Sequence, residues 1–184
     1  MDNIYDNMSE KMLIANTENL QLATFGAGCF WGIEEAFRQV KGVKSTIVGY
    51  TGGWFKNPTY KDVCTDKTGH AEAVQVQFDP NEVSYDDLLG VFWSIHDPTT
   101  KNKQGPDTGS QYRSLIGYHT PEQELLAKKS IEDSERSGKF QGRSIVTEIV
   151  QAPQFYKAEE YHQKYYQKRG SGDESCYRTL YSIG

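Results

Sequence analysis

The segment Gly26-Ala27-Gly28-Cys29-Phe30-Trp31-Gly32 constrains this chain most, because it fixes where a strand ends and a helix begins. Leu20 to Phe25 reads as a short strand. Beyond the junction, Phe30, Ile33, Phe37 and Val40 recur at spacings of three and four, the stripe of an amphipathic helix. Two glycines between them allow a tight turn with positive φ. Cys29 therefore falls at or just before the first helical turn, where unpaired backbone N–H groups and the helix dipole favour a thiolate. Such a position can bring a cysteine pKa from about 8.5 to roughly 3.5–7.5. Two readings stand: a reactive thiolate, or the small buried hydrophobe that most free cysteines are. Trp31 lies about 100° from the apolar stripe, which suggests pocket lining, whereas Phe30 can serve core and pocket together.

A chain of 184 residues is long enough to form one domain with a core that needs no staples. The reading is an N-terminal tail over 1–19, a single α+β domain over 20–168 and a flexible tail over 169–184 carrying Cys176. A net charge of −5 with scattered Lys and Arg argues against nucleic-acid binding. No apolar run approaches the ~18 residues of a membrane span. Residues 1–19 are polar and acidic without a basic start, unlike a secretory signal. Three cysteines, an odd number, suggest a reducing compartment such as the cytoplasm.

Further along, Val43–Tyr50 reads as a strand and Trp54–Gly69 as a long irregular loop. In the next strand Glu72, Val74, Val76 and Phe78 share one parity. Ser84 caps a helix to about Ile95, and a polar loop covers His96–Ser110. Tyr112–Tyr118 reads as a strand. Thr120-Pro121-Glu122-Gln123 is a capping box opening a helix to about Ser137. Ser144–Val150 reads as a strand and Ala158–Lys168 as a helix with Tyr161, His162 and Tyr165 on one side. The order β-α-β-β-α-β with later additions predicts a ferredoxin-like two-layer α+β sandwich, with additional C-terminal helices and a Gly-rich tail.

Strand parity turns the Glu72 carboxyl toward the apolar side, which would raise its pKa and suit a general acid. The alternative is a strand-edge carboxylate in water. His70 could act as a base but reads more simply as structural. Cys176, among glycines and serines, could attack an oxidised Cys29 or be incidental. Cys64 reads as structural. Neither a metal-ligand spacing nor a nucleotide fingerprint is present in the sequence.

The motif Gly-Cys29-Phe30-Trp31-Gly resembles the active-site motif of the A-type peptide methionine sulfoxide reductases. The resemblance extends through Gly49-Tyr50-Thr51-Gly52-Gly53, Asn57-Pro58-Thr59-Tyr60, Thr68-Gly69-His70-Ala71-Glu72, His96-Asp97-Pro98-Thr99, Asp107 with Gly109 to Ser114, and Ala158 to Gln163. It implies reduction of the S epimer of methionine sulfoxide, free or in proteins. By the same resemblance Cys29 is the nucleophile, while Phe30 and Trp31 hold the substrate methyl group. Glu72, Tyr60 and Tyr112 would bind and protonate the sulfoxide oxygen, and Asp107 would support them. Cys176 would resolve a Cys29 sulfenic acid to a disulfide, with Cys64 or an external thiol as the alternative. Thioredoxin, or dithiothreitol in vitro, would be the reductant of a monomer that binds no cofactor or metal. Two departures are visible: Asp66 stands where the family commonly has glycine, and the tail around Cys176 is only loosely like the family's ending.

Two rivals make different use of the same residues. A thiol hydrolase would pair Cys29 with His70, and a non-catalytic module would bind oxidised peptides through Trp31 and Phe30.

Overall fold

The computed structural model describes residues 19–170, so the expectations for the N-terminal tail and for Cys176 lie outside the described residues. The described chain begins with β1 (Gln21–Ala27), α1 (Phe30–Arg38) and β2 (Val43–Thr51). A four-residue helix, α2 (Tyr60–Val63), interrupts the long loop before β3 (Ala71–Phe78). Then come α3 (Tyr85–Ser94) and a two-stranded hairpin of β4 (Lys103–Gln104) and β5 (Asp107–Thr108). A 3-10 turn over Ser110–Tyr112 leads into β6 (Ser114–Tyr118), followed by α4 (Pro121–Arg136). The described chain closes with β7 (Glu148–Gln151), β8 (Phe155–Lys157), a 3-10 turn over Glu160–His162 and α5 (Tyr165–Arg169).

Six strands form one sheet in the order β7-β6-β1-β3-β2-β8. β1 is antiparallel to β3 and β6, β2 is antiparallel to β3 and β8, and only β6 and β7 run parallel. Because β1 lies inside the sheet, its residues from Ala23 to Ala27 are all buried. Phe25 stacks on Phe37 of α1 at 4.8 Å and on Phe92 of α3 at 5.2 Å, so both helices cover one face of the sheet. Toward the outer edge, Gly49 lets β8 cross closely. A Cβ there would stand 2.3 Å from the Tyr156 carbonyl oxygen.

Several sequence expectations need correction. The loop 54–69 contains α2, which Thr59 and Asp62 start with a reciprocal capping box. Tyr112 belongs to a 3-10 turn, and its strand begins at Ser114. The strand expected over Ser144–Val150 shortens to Glu148–Gln151 and is followed by the unanticipated β8. At Thr120 only half of the capping box forms: the hydroxyl accepts the Gln123 N–H, but the Gln123 carbonyl takes the N–H of His119 instead. The helix expected over Ala158–Lys168 is broken, with Lys164 in the left-handed region at φ 51°. Side chains explain that break. Gln163 bonds both backbone groups of Val48 on β2, and the buried Glu34 carboxylate accepts the Lys164 N–H at 2.7 Å.

Candidate active site

Cys29 is the N-cap residue of α1, with φ −56° and ψ 120°, and is partly exposed. Gly28 before it has φ 103°, a conformation that disfavours any side chain. Space forbids one as well, because a Cβ would lie 2.8 Å from Gln104 Cγ of the β4–β5 hairpin. Gln104 is itself fixed by Asp97, accepting its N–H and donating to its carbonyl. The hairpin thus packs over the turn that presents Cys29.

The first N–H of α1, from Phe30, is donated to Glu72 Oε2 at 3.1 Å. This bond places a carboxyl at the helix start that carries the cysteine. Glu72 is only 2% exposed, and burial pushes its pKa from the usual 4.5 up to about 7. The bonds from Phe30 and from the Gln111 amide act against that rise, while the nearby charge of Asp107 adds to it. Near neutrality a large share of Glu72 is therefore protonated.

Tyr60 and Tyr112 converge on the same acid. Burial raises the pKa of Tyr60, with further contributions from a hydrogen bond with Cys64 and from the charge of Glu72. Burial likewise raises that of Tyr112, aided by Glu72, Asp107, Cys29 and Cys64. Both phenols stay protonated through the neutral range and can donate hydrogen bonds. Asp107, at the start of β5, is also shifted upward by burial. Cys29, Glu72, Tyr60, Tyr112 and Asp107 therefore form one interacting cluster. Cys64 belongs to its edge: it is exposed at the end of α2, and its sulfur lies 3.8 Å from Gln111 Nε2. Its exposure differs from the structural reading that the local sequence suggested.

Phe30 is 1% exposed and packs on Tyr50 at 5.9 Å and His162 at 5.1 Å, so it belongs to the core wall of the site. Trp31 is partly buried and stacks on Tyr165 at 3.8 Å with nearly parallel rings. Its indole N–H donates to His162 Nδ1 at 3.0 Å. Trp31 is thus packed against the domain more firmly than its off-stripe position suggested.

Three residues that sequence reasoning gave no role complete the site. His162 receives Trp31 and faces the Tyr60 ring at 4.6 Å. Glu159 accepts bonds from Tyr50 Oη, the Tyr60 N–H and Tyr161 Oη, tying α2 to the core. Gln111, 5% exposed, places its amide 3.5 Å from Glu72 Oε1. A buried indole N–H needs an acceptor, which was the one available hint for His162.

His70, by contrast, serves the backbone. Its Nδ1 accepts the Gly53 N–H at 3.0 Å, and Nε2–H donates to the Phe55 carbonyl at 2.7 Å. Asp66 occupies the left-handed region at φ 59° and accepts both the N–H and the hydroxyl of Ser110, joining the loop after α2 to the turn that carries Gln111 and Tyr112.

A family model described as peptide methionine sulfoxide reductase matches residues 21–181. The peptide methionine sulfoxide reductase MsrA of Methanosarcina acetivorans is 64% identical over 153 residues, covering 83% of this chain and 81% of that protein. MsrA of Geobacter sulfurreducens is 60% identical over 158 residues, covering 86% of this chain and 96% of that protein. Among solved structures, methionine sulfoxide reductase A of Corynebacterium diphtheriae superposes with a TM-score of 0.77 at 38% identity, covering 82% of this chain and 75% of the other. Mxr1 of Saccharomyces cerevisiae in complex with Trx2 gives a TM-score of 0.58 at 27% identity, covering 81% of this chain and 86% of the other. A cysteine and a protonatable carboxyl meeting at one helix start, in a chain matched over nearly its whole described length, lead to one conclusion: the chain belongs to the peptide methionine sulfoxide reductase family.

Proposed function

We propose that this chain reduces the S epimer of methionine sulfoxide, free or in proteins, to methionine through a Cys29 sulfenic acid. The observation that carries the reading is the bond from the Phe30 N–H to Glu72, which puts acid and nucleophile at adjacent positions. Phe30 and Trp31 hold the substrate methyl group. Tyr60, Tyr112 and Glu72 meet the sulfoxide oxygen, with Asp107 supporting them electrostatically. The Cys29 thiolate attacks the sulfoxide sulfur while Glu72 delivers its proton to the oxygen. The attack forms an S–S bond. The hydroxyl then passes to the Cys29 sulfur as the S–O and S–S bonds to the substrate sulfur break, releasing methionine and leaving Cys29 as a sulfenic acid. Two electrons have then passed from the Cys29 sulfur to the substrate sulfur. Glu72, left as carboxylate, regains its proton from water.

A second thiol, assigned to Cys176, attacks the sulfenic sulfur and expels water to leave a disulfide. Thioredoxin returns both thiols by exchange, and dithiothreitol substitutes for it in vitro. The complex of Mxr1 with Trx2 supports that reductant by analogy. We place the enzyme as a monomer in the cytoplasm, its residues 20–168 forming the catalytic domain. The order β6-β1-β3-β2, antiparallel throughout, supports reading that domain's centre as ferredoxin-like. The hydrolase alternative loses its base, because both His70 ring nitrogens are engaged by backbone.

The test is a single-turnover assay with excess enzyme and racemic methionine sulfoxide, without reductant, followed by disulfide mapping. Loss of the S epimer alone with a Cys29–Cys176 disulfide is expected. A Cys29–Cys64 bond or a persistent sulfenic acid would overturn the resolving assignment. Absence of methionine would overturn the reductase reading itself.

A further inference from the structure

We propose that Gln111 is a positioning residue for the proposed reaction, its side-chain amide holding the second oxygen of the Glu72 carboxyl. The inference rests on Glu72 being the proton donor, and concerns how that donor is aimed. Glu72 is gripped at both oxygens: the Phe30 N–H reaches Oε2 at 3.1 Å, and Gln111 Nε2 reaches Oε1 at 3.5 Å. The first donor is rigid because it is the start of a helix. The second is a side chain, so its position depends on what holds its backbone.

That backbone is held from three directions. Asp66 accepts the Ser110 N–H at 2.9 Å and also its hydroxyl. Arg113 donates to the Ser110 carbonyl at 2.9 Å and to the Gly69 carbonyl at 3.0 Å. Its Nε reaches Glu148 at 3.2 Å. Between these anchors, Gln111 is buried and its amide nitrogen also lies 3.8 Å from Cys64 Sγ. The same turn carries Tyr112, so one backbone element sets both the acid and a phenol beside it.

An amide N–H aimed at a carboxyl oxygen favours the ionised form and opposes the effect of burial. It stabilises the carboxylate that remains once Glu72 has given up its proton, while preventing rotation of the carboxyl away from the substrate. The ionisable groups around Glu72 are Cys29 at the head of α1, Tyr50 on β2, Tyr60 and Cys64 on either end of α2, Asp107 on β5 and Tyr112. Changing Gln111 to leucine leaves every one of them in place, so a shift in Glu72 titration isolates the amide.

The experiment compares wild type, Gln111→Leu and Gln111→Met in two measurements. The first is the single-turnover rate against pH. The second is the infrared carboxylic-acid band that Glu72→Gln removes, followed through the same titration. In both variants the alkaline limb and the band midpoint should move up together by about one pH unit, and the plateau rate should fall about tenfold. KM should change less than kcat. An unshifted limb and midpoint in folded variants would overturn the positioning role. If leucine prevents folding, the methionine variant decides. A wild type that reduces no sulfoxide, or whose rate is indifferent to Glu72→Gln, refutes the reductase reading instead, and the two failures are therefore distinguishable.

Discussion

Replacing the acid should abolish a pH-dependent loss of stability while destroying activity, and the size of the effect follows from the site. The Glu72 pKa lies at about 7 in the folded chain against an ordinary 4.5. Between those values the unfolded chain has released the proton and the folded chain still holds it. Stability from this group is therefore fully present below 4.5 and is lost as pH rises through about 7. At about 1.4 kcal/mol per tenfold, the loss is about 1 kcal/mol at pH 5 and about 3 kcal/mol at pH 8. Glu72→Gln has no such dependence. Its stability relative to wild type should consequently improve by about 2 kcal/mol between pH 5 and pH 8.

The assay is urea unfolding of both proteins at the two pH values. Constant effects of the substitution, such as a reoriented hydrogen bond to Phe30 or Gln111, cancel in the comparison across pH. Titration of groups outside the Glu72 cluster also cancels, because it is common to both proteins, and the phenols coupled to Glu72 stay protonated at both pH values. In single turnover the same variant should lose roughly 10²-fold or more. A stability difference that stays flat from pH 5 to pH 8 would refute the claim that burial raises this carboxyl.

Other substitutions probe the walls of the site. Thr59→Ala removes the capping box of α2 and should cost about 1 kcal/mol in urea unfolding, with a slower single turnover because α2 presents Tyr60. Trp31→Phe keeps a ring against Tyr165 but leaves His162 Nδ1 without its donor; it should cost about 1–3 kcal/mol in thermal unfolding and raise KM. Asp66→Gly relieves a left-handed aspartate but releases Ser110. Net stability should stay within about 1 kcal/mol, while amide exchange at Ser110 should speed up about tenfold or more. An unchanged exchange rate would mean that the Asp66 bonds do not hold the turn.

What was legible in the sequence was local. The glycine turn, the α1 stripe and the inward parity of Glu72 all depend on spacings of a few residues, and the structure has each of them. The buried polar residues were not legible in that way. Glu34 sits on α1 outside the apolar stripe, yet it is 1% exposed because its carboxylate accepts the Thr46 hydroxyl and the Lys164 N–H. Nothing within a helical turn of Glu34 signals either partner.

The segment after Ala158 departs from its local pattern for the same reason. Its spacing of Tyr161, His162 and Tyr165 imitates a helix face, but its polar side chains work across the fold. Glu159 reaches Tyr50 and Tyr60, His162 reaches Trp31, and Gln163 reaches Val48, each about a hundred residues or more away in sequence. A continuous helix would turn those side chains to successive directions around its axis and could not satisfy all three. The left-handed Lys164 lets the chain break its helix and restart as α5, which brings Tyr165 flat against Trp31. The backbone irregularity and the packing of α1 thus have one cause. The segment whose local pattern was most misleading is the one that holds Trp31 and Tyr60 in place.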